Sequence, residues 1–184
     1  MTINAVFPIV ETRRLKLTPF TSTHINSKYV SWLNDPEVTQ YSEQRHYCHS
    51  MSSCEEFWHT FRNTPHHFWA IECPQRDSHH IGNMIALVDS PNRVAELSIM
   101  IGDKSAWHQG YGREAWQGAC HALLKEAGIR KVCAGTMADK TPMLEVMRAA
   151  GMVEEGRRIR HFIRDNRQVD LIQMALFSGE FRQP

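Results

Sequence analysis

Residues 107–115, Trp107-His108-Gln109-Gly110-Tyr111-Gly112-Arg113-Glu114-Ala115, decide how the rest of this chain is read. They join an alternating run, residues 95–101, to a helical pattern over residues 113–127. In the first, Leu97, Ile99 and Ile101 share one face and Glu96, Ser98 and Met100 the other, as in a strand with one polar-tinged side. In the second, Trp116, Ala119, Cys120, Leu123 and Ala127 recur at helical spacing, and Gly128 stands where a C′ glycine belongs. Two glycines one residue apart let the backbone approach a ligand closely, and the helix start behind them offers unpaired N–H groups and a positive dipole end. Such a place suits a pyrophosphate. An ordinary glycine-containing turn before a helix has the same local sequence.

Working outward, residues 15–20 read as a strand closed by Pro19, and Ile25, Tyr29, Trp32 and Leu33 as a helix with Thr23 as N-cap and Asn34-Asp35-Pro36 as its stop. Ser52 and Glu55 form a capping-box pattern for a short helix carrying Cys54, Phe57, Trp58 and Phe61. Residues 67–73 and 81–88 read as a hairpin around the polar turn 74–78. Downstream, residues 131–136 form a strand, Thr141-Pro142 opens a helix that Gly151 closes, and residues 157–164 and 168–176 flank the turn Asp165-Asn166. The order β α α β β β α β α β β predicts one mixed α/β (α+β) domain over residues 1–184. The sheet should have about seven strands and be flanked by about four helices.

At 184 residues the chain is long enough to bury a full core, and its 21 basic against 20 acidic residues give no footprint for nonspecific nucleic-acid binding. No apolar run approaches the roughly 20 residues of a membrane span, and residues 1–8 lack a basic start, so they read as a frayed or docking terminus rather than a secretory signal. Five cysteines without a C-x-x-C pair argue for reduced thiols and a cytoplasmic location. Eleven histidines invite a metal, but the doublets His66-His67 and His79-His80 place neighbouring imidazoles on opposite sides of an extended chain, so no metal is expected.

Two other phosphate loops compete for residues 107–115. Gly110, Gly112 and Ala115 satisfy G-x-G-x-x-A, but the acidic residue expected about 20 positions later falls near Thr136 and Met137, and too little chain remains for a repeated βαβ fold. A Walker loop fails because no Gly-Lys-Ser/Thr follows.

With this loop in hand, the sequence resembles the GNAT acetyltransferases, in the branch of ribosomal-protein N-terminal and amino-sugar N-acetyltransferases. The family's pyrophosphate motif falls on Trp107, Gly110 and Gly112. Residues 31–38 resemble the branch's first-helix exit, and residues 144–152 with Glu154-Glu155-Gly156 its closing helix and strand. The resemblance implies a sheet that splays open after its fourth strand, the one carrying Glu96 to Ile101. Backbone groups of Ile99, Met100 and Ile101 would hold the pantetheine of acetyl-coenzyme A, and amides from Gln109 through Tyr111 to Arg113 its phosphates. The family's pantetheine-contacting asparagine, eleven residues before Gly151, falls on Lys140, and its usual general acid, a tyrosine four residues before that glycine, on Met147.

The implied chemistry is attack of a neutral primary amine on a thioester carbonyl, with positioning and oxyanion stabilisation providing most of the acceleration. Amines are largely protonated at neutral pH, so a base is needed. Glu96, on the polar face of the strand that would hold the thioester, is the first candidate, with a structural carboxylate as the plain alternative. His161, sharing a face with Ile159 and Ile163, is the second, though a histidine on an apolar face is usually a hydrogen-bonded core residue. Trp32, Tyr41, Glu43, Arg45 and His46 follow or belong to the first helix and would line the acceptor cleft. An arginine there suits the phosphate of a nucleotide-linked amino sugar. A protein N-terminus is the alternative acceptor, and a noncatalytic coenzyme-binding module the alternative role. No nucleic acid or membrane partner is implied, and a homodimer is left open.

Overall fold

In the computed structural model, residues 9–76 and 79–179 are described. Among them one eight-stranded sheet runs in the order β1-β2-β3-β4-β5-β6-β8-β7. The strands are β1 Val10–Glu11, β2 Lys16–Pro19, β3 His67–Glu72, β4 His80–Asp89, β5 Val94–Ile101, β6 Lys131–Met137, β7 Val153–Arg164 and β8 Arg167–Phe177. Helices α1 Ser27–Leu33, α2 Pro36–Thr39 and α3 Met51–His59 precede β3; α4 Tyr111–His121 links β5 to β6, and α5 Thr141–Ala149 links β6 to β7. Neighbouring strands are antiparallel except β5 and β6, because only there does a helical crossover carry the chain back to its starting end.

The sheet carries a core cluster on each face, the buried residues of the second confined to the β2–β4 end. Leu17, Trp69, Ile71, Met84 and Leu97 pack with Ala115, Trp116, Ala119 and Leu123 of the α4 side. Phe20, Phe68 and Ala70 pack with Tyr29, Trp32, Leu33 and Cys54 of α1 and α3. The alternation in β5 divides as its pattern predicts: Ile99 and Ile101 join the first cluster, Met100 the second.

The mixed α/β class stands, with one more strand than anticipated. The two-residue β1 offers no period to read, and it shifts the fork from the fourth strand to the fifth. Helix starts also moved. Asn26, not Thr23, caps α1, its side chain accepting from the Tyr29 N–H at 3.0 Å, while Thr23 lies in a 3-10 turn. Ser50 with Ser53, rather than Ser52 with Glu55, forms the capping box of α3. Lys140 rather than Thr141 is the N-cap of α5, with Pro142 still in its first turn. The turn Asp165-Asn166 takes positive φ at both residues, as a primed hairpin turn demands. Residues 1–8 and part of the expected turn 74–78 lie outside the described residues. No helix among the described residues is long and apolar enough to cross a membrane.

Candidate active site at the fork of the sheet

Pairing between β5 and β6 stops at the rung Glu96↔Cys133, although β5 continues to Ile101 and β6 to Met137. Past that rung the strands part, β5 staying with β4 and β6 with β8. Two strands that diverge after sharing a parallel start leave a wedge with main-chain groups on each wall, where an extended ligand can pair as an added strand.

At the mouth of the wedge the chain turns through residues 102–110 into α4. His108 and Gly110 adopt positive φ, 59° and 79°, and Gly110 is the N-cap. The first helical bond runs from the Glu114 N–H to the Gly110 carbonyl at 3.0 Å, leaving the N–H groups of Tyr111, Gly112 and Arg113 outside the helical ladder. A brace from the start of the chain holds this turn. Arg14 donates through Nη1 to the Gln109 carbonyl (3.0 Å) and through Nε to Glu114 (2.7 Å), and its guanidinium lies 4.4 Å from the Tyr111 ring centroid. Thr12 and the Arg14 backbone N–H both donate to the other Glu114 oxygen, each at 2.7 Å. Burial pushes the Glu114 carboxyl up, but these bonds and the Arg14 charge outweigh it and hold its pKa below the ordinary 4.5.

That balance has a consequence for stability. A carboxylate with a depressed folded pKa stabilises fully above the unfolded value and loses its contribution as pH falls through the folded one. Glu114→Gln should therefore cost about 1–3 kcal/mol near neutral pH. The gap to wild type should close in acid below the ordinary glutamate range, as urea titrations at several pH values would read. A gap that stays constant with pH would remove the brace from the ledger.

Trp107 donates its indole N–H to the Ile101 carbonyl at 2.8 Å. That carbonyl belongs to the stretch expected to hold pantetheine, so the acceptor groups left to a ligand lie earlier on β5. Glu96 is solvent-exposed on the last paired rung, beside the half-buried Cys133 and the exposed Leu87 of β4. Burial raises the Cys133 thiol; the Lys131 ammonium opposes this, and the Glu155 and Glu96 carboxylates add to it.

The expected acceptor residues divide. Tyr41 and Arg45 come together with groups from the far wall: the Arg164 guanidinium lies 4.5 Å and the Lys140 ammonium 5.5 Å from the Tyr41 ring centroid. Arg45 donates to the Ser42 and Ile163 carbonyls, at 2.8 and 3.2 Å, and pairs with Glu43 at 2.8 Å. Arg164 pairs with Asp139 at 2.6 Å. His46 stands exposed, 3.8 Å from Glu43. Trp32, by contrast, is core: it is buried among Tyr29 and His80, and a Cβ on Gly102 would collide with its indole.

His161 is not in a core. The register of β7 against β8 shifts between Arg158 and Phe162, where Arg160 takes φ 53° and its N–H donates to Asp170 at 2.7 Å. Ile159 and Ile163 are about two-thirds exposed and His161 is exposed between them, so the side on which a core histidine was expected is open to solvent. Met147 is fully buried and has no proton to give. Arg14, Glu114, Asp139 and Arg164 were not among the expected site residues. The Arg14 contacts span about a hundred positions, and no periodicity or motif announces them.

A mixed sheet forked at its parallel pair, with a glycine-led helix start at the mouth of the fork, is a GNAT-type fold. The profile of the family described as Acetyltransferase (GNAT) domain matches residues 14–153, and the chain belongs to that family. Among solved structures it is similar to the spermidine N-acetyltransferase from Vibrio cholerae in complex with CoA and spermine, with a TM-score of 0.82 at 17% identity over 92% of this chain and 98% of that one. It is also similar to RimL, a ribosomal L7/L12 alpha-N-protein acetyltransferase in complex with coenzyme A, with a TM-score of 0.80 at 16% identity over the same shares. A GNAT-family acetyltransferase from Bacillus anthracis gives 0.79 at 17% identity, over 94% of this chain and all of that one. At these identities the likeness speaks for the fold alone. No curated protein matches the sequence.

Proposed function

We propose that the chain is a single N-acetyltransferase domain that moves the acetyl group of acetyl-coenzyme A to a primary amine. The observation that carries this reading is the fork itself: an open wedge between β5 and β6 whose mouth holds a glycine N-cap and three amides outside the helical ladder. Backbone groups of Ile99 and Met100 would pair with the pantetheine arm, and the amides from Tyr111 to Arg113, with the turn at Trp107, Gln109 and Gly110, would take the pyrophosphate. The fit is supported by the turn itself: Gly110 adopts a φ that side chains rarely take, which leaves its backbone bare at the mouth. When bound, the thioester supplies an activated acyl carbon. Glu96 stands at the base of the wedge, where it can take the acceptor's proton directly or through water. With Met147 in the tyrosine position, the thiol leaves without a tyrosine acid, which its ordinary pKa of about 8.5 tolerates.

For the acceptor we favour an amine that also carries an anion, such as a nucleotide-linked amino sugar. Lys140 and Arg164 lie over Tyr41 and Arg45 reaches the neighbouring Ile163 carbonyl; Glu43, Asp139 and Asp165 balance the two arginines, so Lys140 and the remaining guanidinium N–H donors are the groups that would meet a phosphate. A protein N-terminus is the second reading, suggested by the likeness to RimL. The test is thiol release from acetyl-coenzyme A across a panel of amino-sugar nucleotides, short peptides with free N-termini and polyamines. Turnover highest on the anionic sugars supports the reading, turnover highest on polyamines rejects the acceptor class, and coenzyme binding without turnover on any amine rejects catalysis.

A further inference from the structure

At the end of the sheet opposite the fork lies a second cleft, of about 530 Å³, within the size range of small-molecule sites. It is bordered by the start of β3 at His67, the end of β4 at Val88, and Ile129 just before β6, and residues 61–66, which follow α3, line it too. Four rings form its aromatic side. Phe20 and Phe68 stack at 4.0 Å, Phe61 lies 5.0 Å from Phe68, and Trp58 is fixed by its indole N–H, which donates to the Phe20 carbonyl at 2.9 Å. Phe20 and Phe68 are buried, but Trp58 and Phe61 keep part of their surface open. Ring faces left open in a cleft are what a planar ligand can cover.

The polar side of the cleft is rich in donors. No carboxylate lines it among the described residues. Arg62 is exposed and enters no ion pair among them; its guanidinium rests 4.9 Å from the Trp58 ring centroid, so its N–H fork is positioned yet unspent. His66 accepts the Val88 N–H on Nδ1 at 3.0 Å, just past the point where β3 stops pairing with β4, so the neutral ring carries its proton on Nε2 and has a donor to offer. Thr64 steadies the loop between them, donating to the Phe61 carbonyl at 2.9 Å and accepting from the His66 N–H at 3.3 Å. Burial pushes the His67 imidazole down to about 4, so it stays neutral and Arg62 is the fixed charge of the cleft.

We infer that this cleft is a second binding site, for a small planar aromatic carboxylate whose ring lies against Trp58 and Phe61 and whose carboxylate meets the Arg62 fork and the His66 Nε2–H. A cation there would face Arg62 with no acid to hold it. An aliphatic acid would leave the ring faces uncovered.

The experiment is a nuclear magnetic resonance titration of the native full-length chain with naphthoate, read on the Trp58 indole N–H, whose signal is assigned as the one missing from Trp58→Phe. The controls are the uncharged amide of naphthoate and cyclohexanecarboxylate, which has the charge without the flat ring. Naphthoate should shift the Trp58 signal saturably with a Kd of about 1 mM or lower, the range open to a ligand of its size. Each control should bind at least about tenfold more weakly. Saturating coenzyme A should leave the titration unchanged, since the cleft shares no residue with the fork. Arg62→Gln alters an exposed side chain, so the melting temperature should hold while naphthoate binding weakens about tenfold or more. No saturable shift at Trp58, equal binding of the uncharged amide, or an affinity that Arg62→Gln leaves intact would each overturn the inference, as would displacement of naphthoate by coenzyme A.

Discussion

Replacing Gly110 with valine should abolish the protection that coenzyme A gives in a thermal melt. At a ligand concentration a hundredfold above its dissociation constant, binding to the folded state adds about 2.7 kcal/mol, or about 5–10 °C for a domain of this size. Valine loses this for a local reason. Gly110 caps α4 at φ 79°, a conformation that a β-branched residue resists, so the turn must rebuild and carry the amides of Tyr111, Gly112 and Arg113 away from the phosphates. A general loss of stability can be told apart with Gly128→Ala, downstream of the same helix. Gly128 also has positive φ, 68°, with nothing within 4 Å of its Cβ direction. That variant should lower the melting temperature of the free protein yet keep the coenzyme shift. Unchanged protection in the valine variant would dislodge the pyrophosphate from the mouth of the fork.

How much of this was written in the sequence depends on the range of the interaction concerned. The β5-loop-α4 passage was legible because three local signals coincide: period two before the loop, glycines in it, and period 3.6 after it. The turn at Asp165-Asn166 was legible because short polar residues tolerate the left-handed region. Helix caps were placed one to three residues off, since several serines and threonines near each start compete and only the final backbone angles choose among them. The face of β7 was misread because Ile159 and Ile163 read as core by residue type, whereas β7 is the edge strand and both are exposed; its bulge is held by Asp170 across the hairpin, a partner no pattern within β7 contains. The Arg14 brace and the meeting of Tyr41 with Lys140 and Arg164 join segments far apart in the sequence, which only the assembled sheet and helices bring together.

Glu96→Gln should lower kcat/KM for the best acceptor by about a hundredfold near neutral pH, the low end of what a positioned base contributes. The deficit should shrink as pH rises toward the acceptor's own pKa, because an amine that arrives already neutral no longer needs its proton removed. The position makes this a clean measurement. Glu96 is exposed, and its backbone is pinned on both sides by the rungs to Leu87 and Cys133, so glutamine keeps both the strand and the size of the side chain. Melting temperature and coenzyme protection should therefore stay at wild-type values while turnover drops. A purely structural carboxylate predicts the reverse, a change in stability with turnover intact. A loss of turnover that is the same at every pH would take the proton-accepting role away from Glu96, and leave positioning in the wedge as the main source of rate.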